Sequence, residues 1–129
     1  VALTWCFGDE ATPATEAIRD RLATETARVP DNWTLEMANI LAISERRRRL
    51  DAASIEQFLH MLAALSIDVD RSTGDRSLGE IMSLARTYRL TTYDAAYLDL
   101  AMREGLPLAT RDKELIQAAQ RVGVEIIET

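Results

Sequence analysis

Three carboxylates in this sequence stand at positions where a carboxylate could do chemistry. Glu36 lies four residues before Ile40 and seven before Ile43; on a helix that spacing places it on the apolar face. Asp94 lies four before Leu98 and eight before Met102, again on an apolar stripe, at the start of its helix. Asp112 follows closely on the apolar run Leu106–Ala109, and in a parallel sheet ligand sites form beyond the carboxyl ends of the strands. Each also has a plainer explanation. Asp94 sits in a first turn behind Thr91, where a capping box and the helix dipole favour an acid. Asp112 suits an N-cap, and Glu36 at the edge of its stripe reaches water. Together they point further. Converging carboxylates repel one another unless a cation neutralises them. Carboxylate oxygens without His or Cys suit Mg²⁺ or Mn²⁺, and the chemistry such a group serves is phosphoryl transfer.

Other chemistries have less to work with. Cys6 is the only cysteine and His60 the only histidine, so no internal disulfide and no Cys/His zinc cluster can form. A Ser-His-Asp hydrolase needs His60 as its base, and His60, four positions before Ala64 on a helix, reads as a structural residue. Cys6 between Trp5 and Phe7 reads as packing. Trp33 reads as core or interface rather than a platform for a base. The formal net charge is −6, from 21 acids against 15 bases, which excludes a generic basic nucleic-acid coat. Every base except Lys113 is an arginine. The block Arg46-Arg47-Arg48-Arg49 reads as a solvated helix end, where cations suit the dipole; contact with RNA phosphate is the other role such a block can take.

The elements that must position these residues follow from periodicity. With 129 residues, 47% hydrophobic and 28% charged, the composition is that of one globular domain. Val1-Ala2-Leu3 reads as the tail of a buried strand, with a turn at Trp5-Cys6-Phe7. Thr12-Pro13 opens a helix, with Pro at its first position behind a Thr cap. Ala27–Pro30 reads as a strand. Asp31 or Asn32 caps a helix to about Arg48, and Ala53–Leu65 is the next helix. Ile67–Asp70 is a short strand, and Leu78–Tyr88 a helix weakened by Gly79. Thr91 or Thr92 caps a helix that ends near Gly105. Leu106–Ala109 is a strand, Lys113–Arg121 a helix and Val124–Ile127 a last strand. Short apolar strands alternating with helices predict an α/β fold with a parallel sheet covered on both faces. No apolar run approaches a membrane span, and a reducing, cytoplasmic setting is the default expectation.

Three segments carry a family resemblance. Pro30-Asp31-Asn32-Trp33-Thr34-Leu35-Glu36-Met37-Ala38-Asn39-Ile40-Leu41 resembles the P-x-x-W-x-x-E-x-A-N-x-L segment of PIN-domain proteins. Thr92-Tyr93-Asp94-Ala95-Ala96-Tyr97-Leu98-Asp99-Leu100-Ala101 resembles their Y-D-A-x-Y-L-x-L-A segment, and Leu108-Ala109-Thr110-Arg111-Asp112-Lys113-Glu114-Leu115 their L-x-T-x-D-x-x-L. Order and spacing are similar to those of the VapC-type toxins of bacterial toxin–antitoxin pairs. The family's first catalytic Asp, in D-x-S-V-x-L-x-W, would fall about three positions before Val1.

The resemblance implies a three-layer PIN-like fold over residues 1–129, with a central parallel sheet of about four or five short strands flanked by helices. It implies an Mg²⁺- or Mn²⁺-dependent endoribonuclease that cuts RNA through a metal-activated water, leaving a 5′-phosphate. Glu36, Asp94 and Asp112 are then the catalytic and metal-holding acids. Thr110 matches the family's small hydroxyl residue, which orients a carboxylate or meets phosphate, and Glu114 is secondary. Asp99 stands about 140° round the helix from Asp94 and should not share the site. The partners implied are RNA, a VapB-like antitoxin and a second copy in a homodimer. The alternative is a catalytically impaired PIN-fold module that acts by binding protein or RNA.

Overall fold

The computed structural model describes residues 6–7 and 10–129. The strand tail expected at Val1–Leu3 lies outside them. Thr12 caps α1 (Pro13–Arg21) as its sequence predicts: its hydroxyl accepts the Thr15 N–H at 3.1 Å, while Thr15 Oγ1 accepts the Thr12 N–H at 2.8 Å. Pro13 occupies the first turn, where its missing N–H costs nothing. β1 (Ala27–Pro30) pairs with β2 (Ile67–Asp70). Between them in sequence run α2 (Asn32–Arg46) and α3 (Ala52–Ala64). Asp51 starts α3 by accepting the Ser54 N–H at 2.8 Å.

The described residues divide into two compact units, those up to Ala27 with 32–68, and residues 28–31 with 69–129. In the first, Met37 and Leu41 of α2 meet Phe58 of α3, with Cys6, Trp33, Leu50, Ile55, Met61 and Leu62 around them. Cys6 and Trp33 are therefore packing residues, as their sequence context predicts, and His60 is exposed on α3. The stripe on α2 is rotated from the one expected. Met37, Leu41 and Ser44 are buried, whereas Leu35 is 75% exposed.

The second unit contains the larger core. Its helices are α4 (Thr73–Arg76), α5 (Met82–Tyr88), α6 (Thr92–Glu104) and α7 (Lys113–Val122). The helix expected over Leu78–Tyr88 starts earlier and passes through a π-helical segment, Ser77–Ile81. Gly79 lies in that segment, where its low helix propensity makes the wider turn less costly. α6 is the centre of this unit: Ala95 and Leu98 are fully buried, and Ala96, Leu100 and Ala101 nearly so. Leu115, Ala118 and Ala119 of α7 and Ile81 and Ala85 join the same core. β3 (Leu108–Ala109) pairs in parallel with β4 (Ile126–Ile127), Leu108 opposite Ile126.

The fold is α/β, with helices and a small parallel sheet. β1 and β2 have the expected bounds, whereas β3 and β4 are shorter than the expected Leu106–Ala109 and Val124–Ile127. The described residues form two two-stranded sheets, β1–β2 and β3–β4, rather than one sheet of four or five strands. Runs of two to four residues such as Leu108–Ala109 offer too few ladder positions for apolar content alone to define their pairing.

Candidate carboxylate site

Asp94 is placed by the cap of α6. Thr91, extended at φ −65° and ψ 156°, accepts the Asp94 N–H through Oγ1 at 3.1 Å. Ala95 and Leu98, on either side of the helix's next turn, are fully buried. The Asp94 carboxyl is thus held at the edge of an apolar core and is half-buried. Burial raises its pKa, the negative charge of Asp112 raises it further, and Glu114 adds to the effect against a hydrogen bond with Thr91. The structure therefore brings Asp94, Asp112 and Glu114 into one electrostatic neighbourhood.

Asp112 stands just beyond β3, where the strand's carboxyl end delivers it. Its Oδ1 accepts the Leu115 N–H at 2.9 Å and caps α7. The capping role is thus real, and it occupies one carboxylate oxygen only. Thr110 fixes the approach: its Oγ1 accepts the Asp112 backbone N–H at 3.2 Å, and its carbonyl accepts the Thr129 hydroxyl at 3.3 Å. Thr110 is therefore a positioning residue for Asp112. Glu114 lies in the first turn of α7 and is exposed.

Glu36 belongs to the other unit. It is half-buried on α2 and accepts a short hydrogen bond from the Asn32 side chain one turn earlier. It sits at the edge of the buried Met37–Leu41 stripe rather than in its middle, because Ile40, the neighbour that defined the expected face, is itself 36% exposed.

Among the described residues no three His, Cys, Asp or Glu side chains form a group that could hold a metal ion. The Asp94–Asp112 pair still suits a hard cation. Both donors are carboxylate oxygens, their charges repel, and Mg²⁺ is usually held by one or two carboxylates while keeping several waters. A direct consequence is testable. A raised carboxyl pKa means that the folded chain loses stability as pH rises from the unfolded value, about 3.9, through the folded one. Asp94→Asn is therefore expected to raise stability at pH 7 by about 0.5 kcal/mol, on the scale of relieving a like-charged neighbour, and with it the melting temperature. The gain should vanish below about pH 3.9. Thermal melts at pH 7 and pH 3.5 check this, and a variant that melts lower at pH 7 would show that the repulsion is not felt.

The second unit also holds an ion-pair network that the sequence did not announce. Asp99, 3% exposed, receives Arg76 on both oxygens at 2.8 Å and Arg103 Nε at 3.0 Å. Arg103 reaches on to Asp70 at 2.8 Å, and Asp70, also buried, lies 3.5 Å from Arg28. Arg28 pairs with Glu104 at 2.7 Å, and the Ser72 hydroxyl donates to Asp70 at 2.9 Å. Burial works to raise the pKa of Asp99, but hydrogen bonds and charge from Arg76 and Arg103 outweigh it and hold the value low. Asp70 is likewise held low by Arg103, Ser72 and Arg28 against its burial. Asp99 is thus separate from Asp94, as the helical angle predicts. The partners of these acids are distant in sequence, and only the i,i+4 spacing of Asp99 and Arg103 was visible in advance.

Comparison with known proteins adds the family. A crystal structure of PAE2754 from Pyrobaculum aerophilum superposes with a TM-score of 0.66 over 88% of this chain and 75% of that one, at 24% identity. That likeness shows the fold. No curated protein matches the sequence. The model of the PIN domain matches residues 2–121. The matched span takes in the whole of α6 and nearly all of α7, the two helices that present Asp94 and Asp112, and the chain belongs to the PIN domain family.

Proposed function

We propose that this protein is a divalent-metal-dependent endoribonuclease and the toxin of a toxin–antitoxin pair. PIN domains are commonly nucleases, which supports nuclease activity in general. The metal-dependent part of that reading is supported by the placement of Asp94 in the first turn of α6 and of Asp112 beyond the end of a parallel strand, where burial and the charge of Asp112 push the Asp94 carboxyl up; the toxin part rests on the order and spacing of the three segments. Asp112 spends one oxygen on the α7 cap, and the remaining carboxylate oxygens of the two acids are the kind of donor that metal-assisted phosphodiester hydrolysis uses. Asp94 and Asp112 would hold Mg²⁺ or Mn²⁺, with Glu36 as the third acid by its place in the family pattern. A cation bound there supplies the positive charge that activates water for in-line attack and stabilises the phosphate oxygens. Thr110 keeps Asp112 in place through its backbone, and Thr91 does the same for Asp94.

The test is cleavage of a defined RNA by the full-length protein, with Mg²⁺ or Mn²⁺ and with EDTA. Cleavage with either metal and none in EDTA is the expected result; cleavage that persists in EDTA overturns the reading. Titration of Mg²⁺ should also raise the melting temperature of the native protein more than that of Asp94→Asn. Equal stabilisation of both removes Asp94 from the metal site. A protein that binds RNA but never cuts it favours the impaired module instead.

A homodimer and a small antitoxin belong to the same reading. The helices Ala53–Leu65 and Leu78–Tyr88 are where a dimer patch is expected, and both leave apolar side chains exposed: Leu59 on α3 at 48%, Leu78 in the π-helical segment at 85% and Met82 at the start of α5 at 38%. An antitoxin segment carrying an Arg would pair with the carboxylates in place of the metal, and a basic segment suits a net charge of −6. Light scattering should give a dimer, and co-expression with the adjacent reading frame should relieve toxicity. A strict monomer at high concentration with no co-purifying partner counts against both.

A further inference from the structure

α2 closes in a Schellman motif: the Arg48 N–H donates to the Glu45 carbonyl at 3.0 Å and the Arg49 N–H to the Ser44 carbonyl at 2.8 Å. The residue that turns the chain is Arg48, in the left-handed region at φ 57°. Glycine is the usual residue there, because a Cβ is crowded in that conformation. This chain uses glycine for the same purpose at Gly105 and Gly123, which end α6 and α7 at φ 64° and 81°, and arginine again at Arg89, which ends α5 at φ 55°. The helix dipole does not explain the choice, since Arg46 and Arg47 already place cations at that end.

Arg46, Arg47 and Arg48 are all exposed. Among the described residues none of the three has an acid or hydrogen-bond partner for its side chain. Arg86, Arg89 and Arg121 likewise have none among the described residues, but Arg46, Arg47 and Arg48 are consecutive, in a chain with 21 acids against 15 bases where Arg19, Arg21, Arg28, Arg71, Arg76 and Arg103 each lie against a carboxylate. Arg49 serves the turn differently. It pairs with Glu10 at 3.4 Å and lies over the Phe7 ring at 4.0 Å, so it anchors the segment. The nearby carboxylate of Asp51 is committed to the α3 cap. No large apolar side chain is exposed between Ile40 and Leu59. A protein interface needs an apolar or aromatic anchor at its centre, whereas phosphodiester contacts need only cations free to pair.

We propose that the Arg46–Arg48 turn is a docking site for the phosphodiester backbone of RNA, a choice of ligand that rests on the nuclease reading above. The turn would hold the strand by charge.

The experiment is fluorescence anisotropy of a short labelled single-stranded RNA with the full chain in EDTA, across a range of salt. Arg46→Ala/Arg47→Ala/Arg48→Ala together should weaken binding by about ten-fold or more at low salt. The same variant should flatten the plot of log affinity against log salt by about 2, since each phosphate that an arginine neutralises contributes about 0.7 to the slope. The corresponding triple Lys variant should retain most of the affinity. Arg48→Gly should melt at the same or a higher temperature and yet bind RNA less tightly, a split that a purely capping role would not give. Wild-type affinity and salt slope in the triple Ala variant overturn the proposal. So does tighter binding of a polyglutamate peptide than of RNA with the same Arg dependence, which would assign the turn to an acidic protein. Cleavage is scored separately with metal present. Arg-dependent binding without cleavage defeats the nuclease reading and leaves the turn a phosphate site; cleavage without Arg-dependent binding does the reverse.

Discussion

Asp94→Asn and Asp112→Asn should each lower metal-dependent RNA cleavage by about 10²–10³-fold or more, the scale of removing one charged group from a site where negative charge develops, and neither should unfold the chain. For Asp94 the reason is the sign of its shift. Burial and Asp112 destabilise its charged form, so a neutral isostere relieves the fold while it removes a donor. Asp112→Asn keeps an oxygen that can still accept the Leu115 N–H at the head of α7, so the cap survives the loss of charge. Glu36→Gln should have a comparable effect on cleavage and little on stability, since Gln retains the acceptor that meets Asn32. The measurement is single-turnover cleavage of a defined RNA, with melting curves on the same preparations. Two inactive variants that melt at or above the wild-type temperature are the expected pair. Full activity in both Asp variants would place the chemistry elsewhere.

Asp99→Ala should behave in the opposite way, with a large loss of stability. Asp99 takes three hydrogen bonds from Arg76 and Arg103 while almost wholly buried. Removing it leaves two guanidiniums facing each other without their shared anion. Breaking a buried pair on one side typically costs about 3–5 kcal/mol. The Arg76 and Arg103 side chains are 30% and 25% exposed, which allows some rehydration and places the expectation near about 3 kcal/mol. In a domain of this size that is a fall in melting temperature of about 10 °C. Asp70 and Asp99 both have lowered pKa values. Their stabilisation is therefore complete above the unfolded value near about 3.9 and is lost as pH falls through the folded values below it. Wild-type protein should lose stability as pH falls below about 4, and Asp99→Ala should show a smaller acid-dependent loss. An Asp99→Ala protein that melts like wild type would show that the network contributes no net stability.

Much of this molecule could be read from the order of its residues, because the relevant physics is local. The Thr12-Pro13 start of α1, the Thr91 and Asp112 caps, and the Gly105 and Gly123 ends depend on side-chain oxygens and backbone freedom within three or four residues. Those same local signals put Asp94 at the head of α6 and Asp112 beyond β3, and the spacing of three short segments carried the family. Less visible was the face of α2. Ile40 and Ile43 suggested one buried stripe and Met37, Leu41 and Ser44 form another, since both satisfy helical spacing and only the position of Phe58 selects between them. The π-helical turn at Ser77–Ile81 also went unseen, because Gly79 weakens a helix without saying how the chain will absorb it.

The sequence by itself determined the alternation of helices and short strands, the helix ends, and which carboxylates stand at element termini. Tertiary structure alone decided which charges meet. Asp99 and Asp94 lie on the same helix and are both acids next to apolar residues, yet one is held charged by two arginines and the other is pushed toward its neutral form by a neighbouring aspartate. Arg76 and Asp112 reach them from elements 23 residues before Asp99 and beyond β3. Periodicity reports which face of a helix is covered, but the sign of a pKa shift depends on the charges that long-range packing sets against that face.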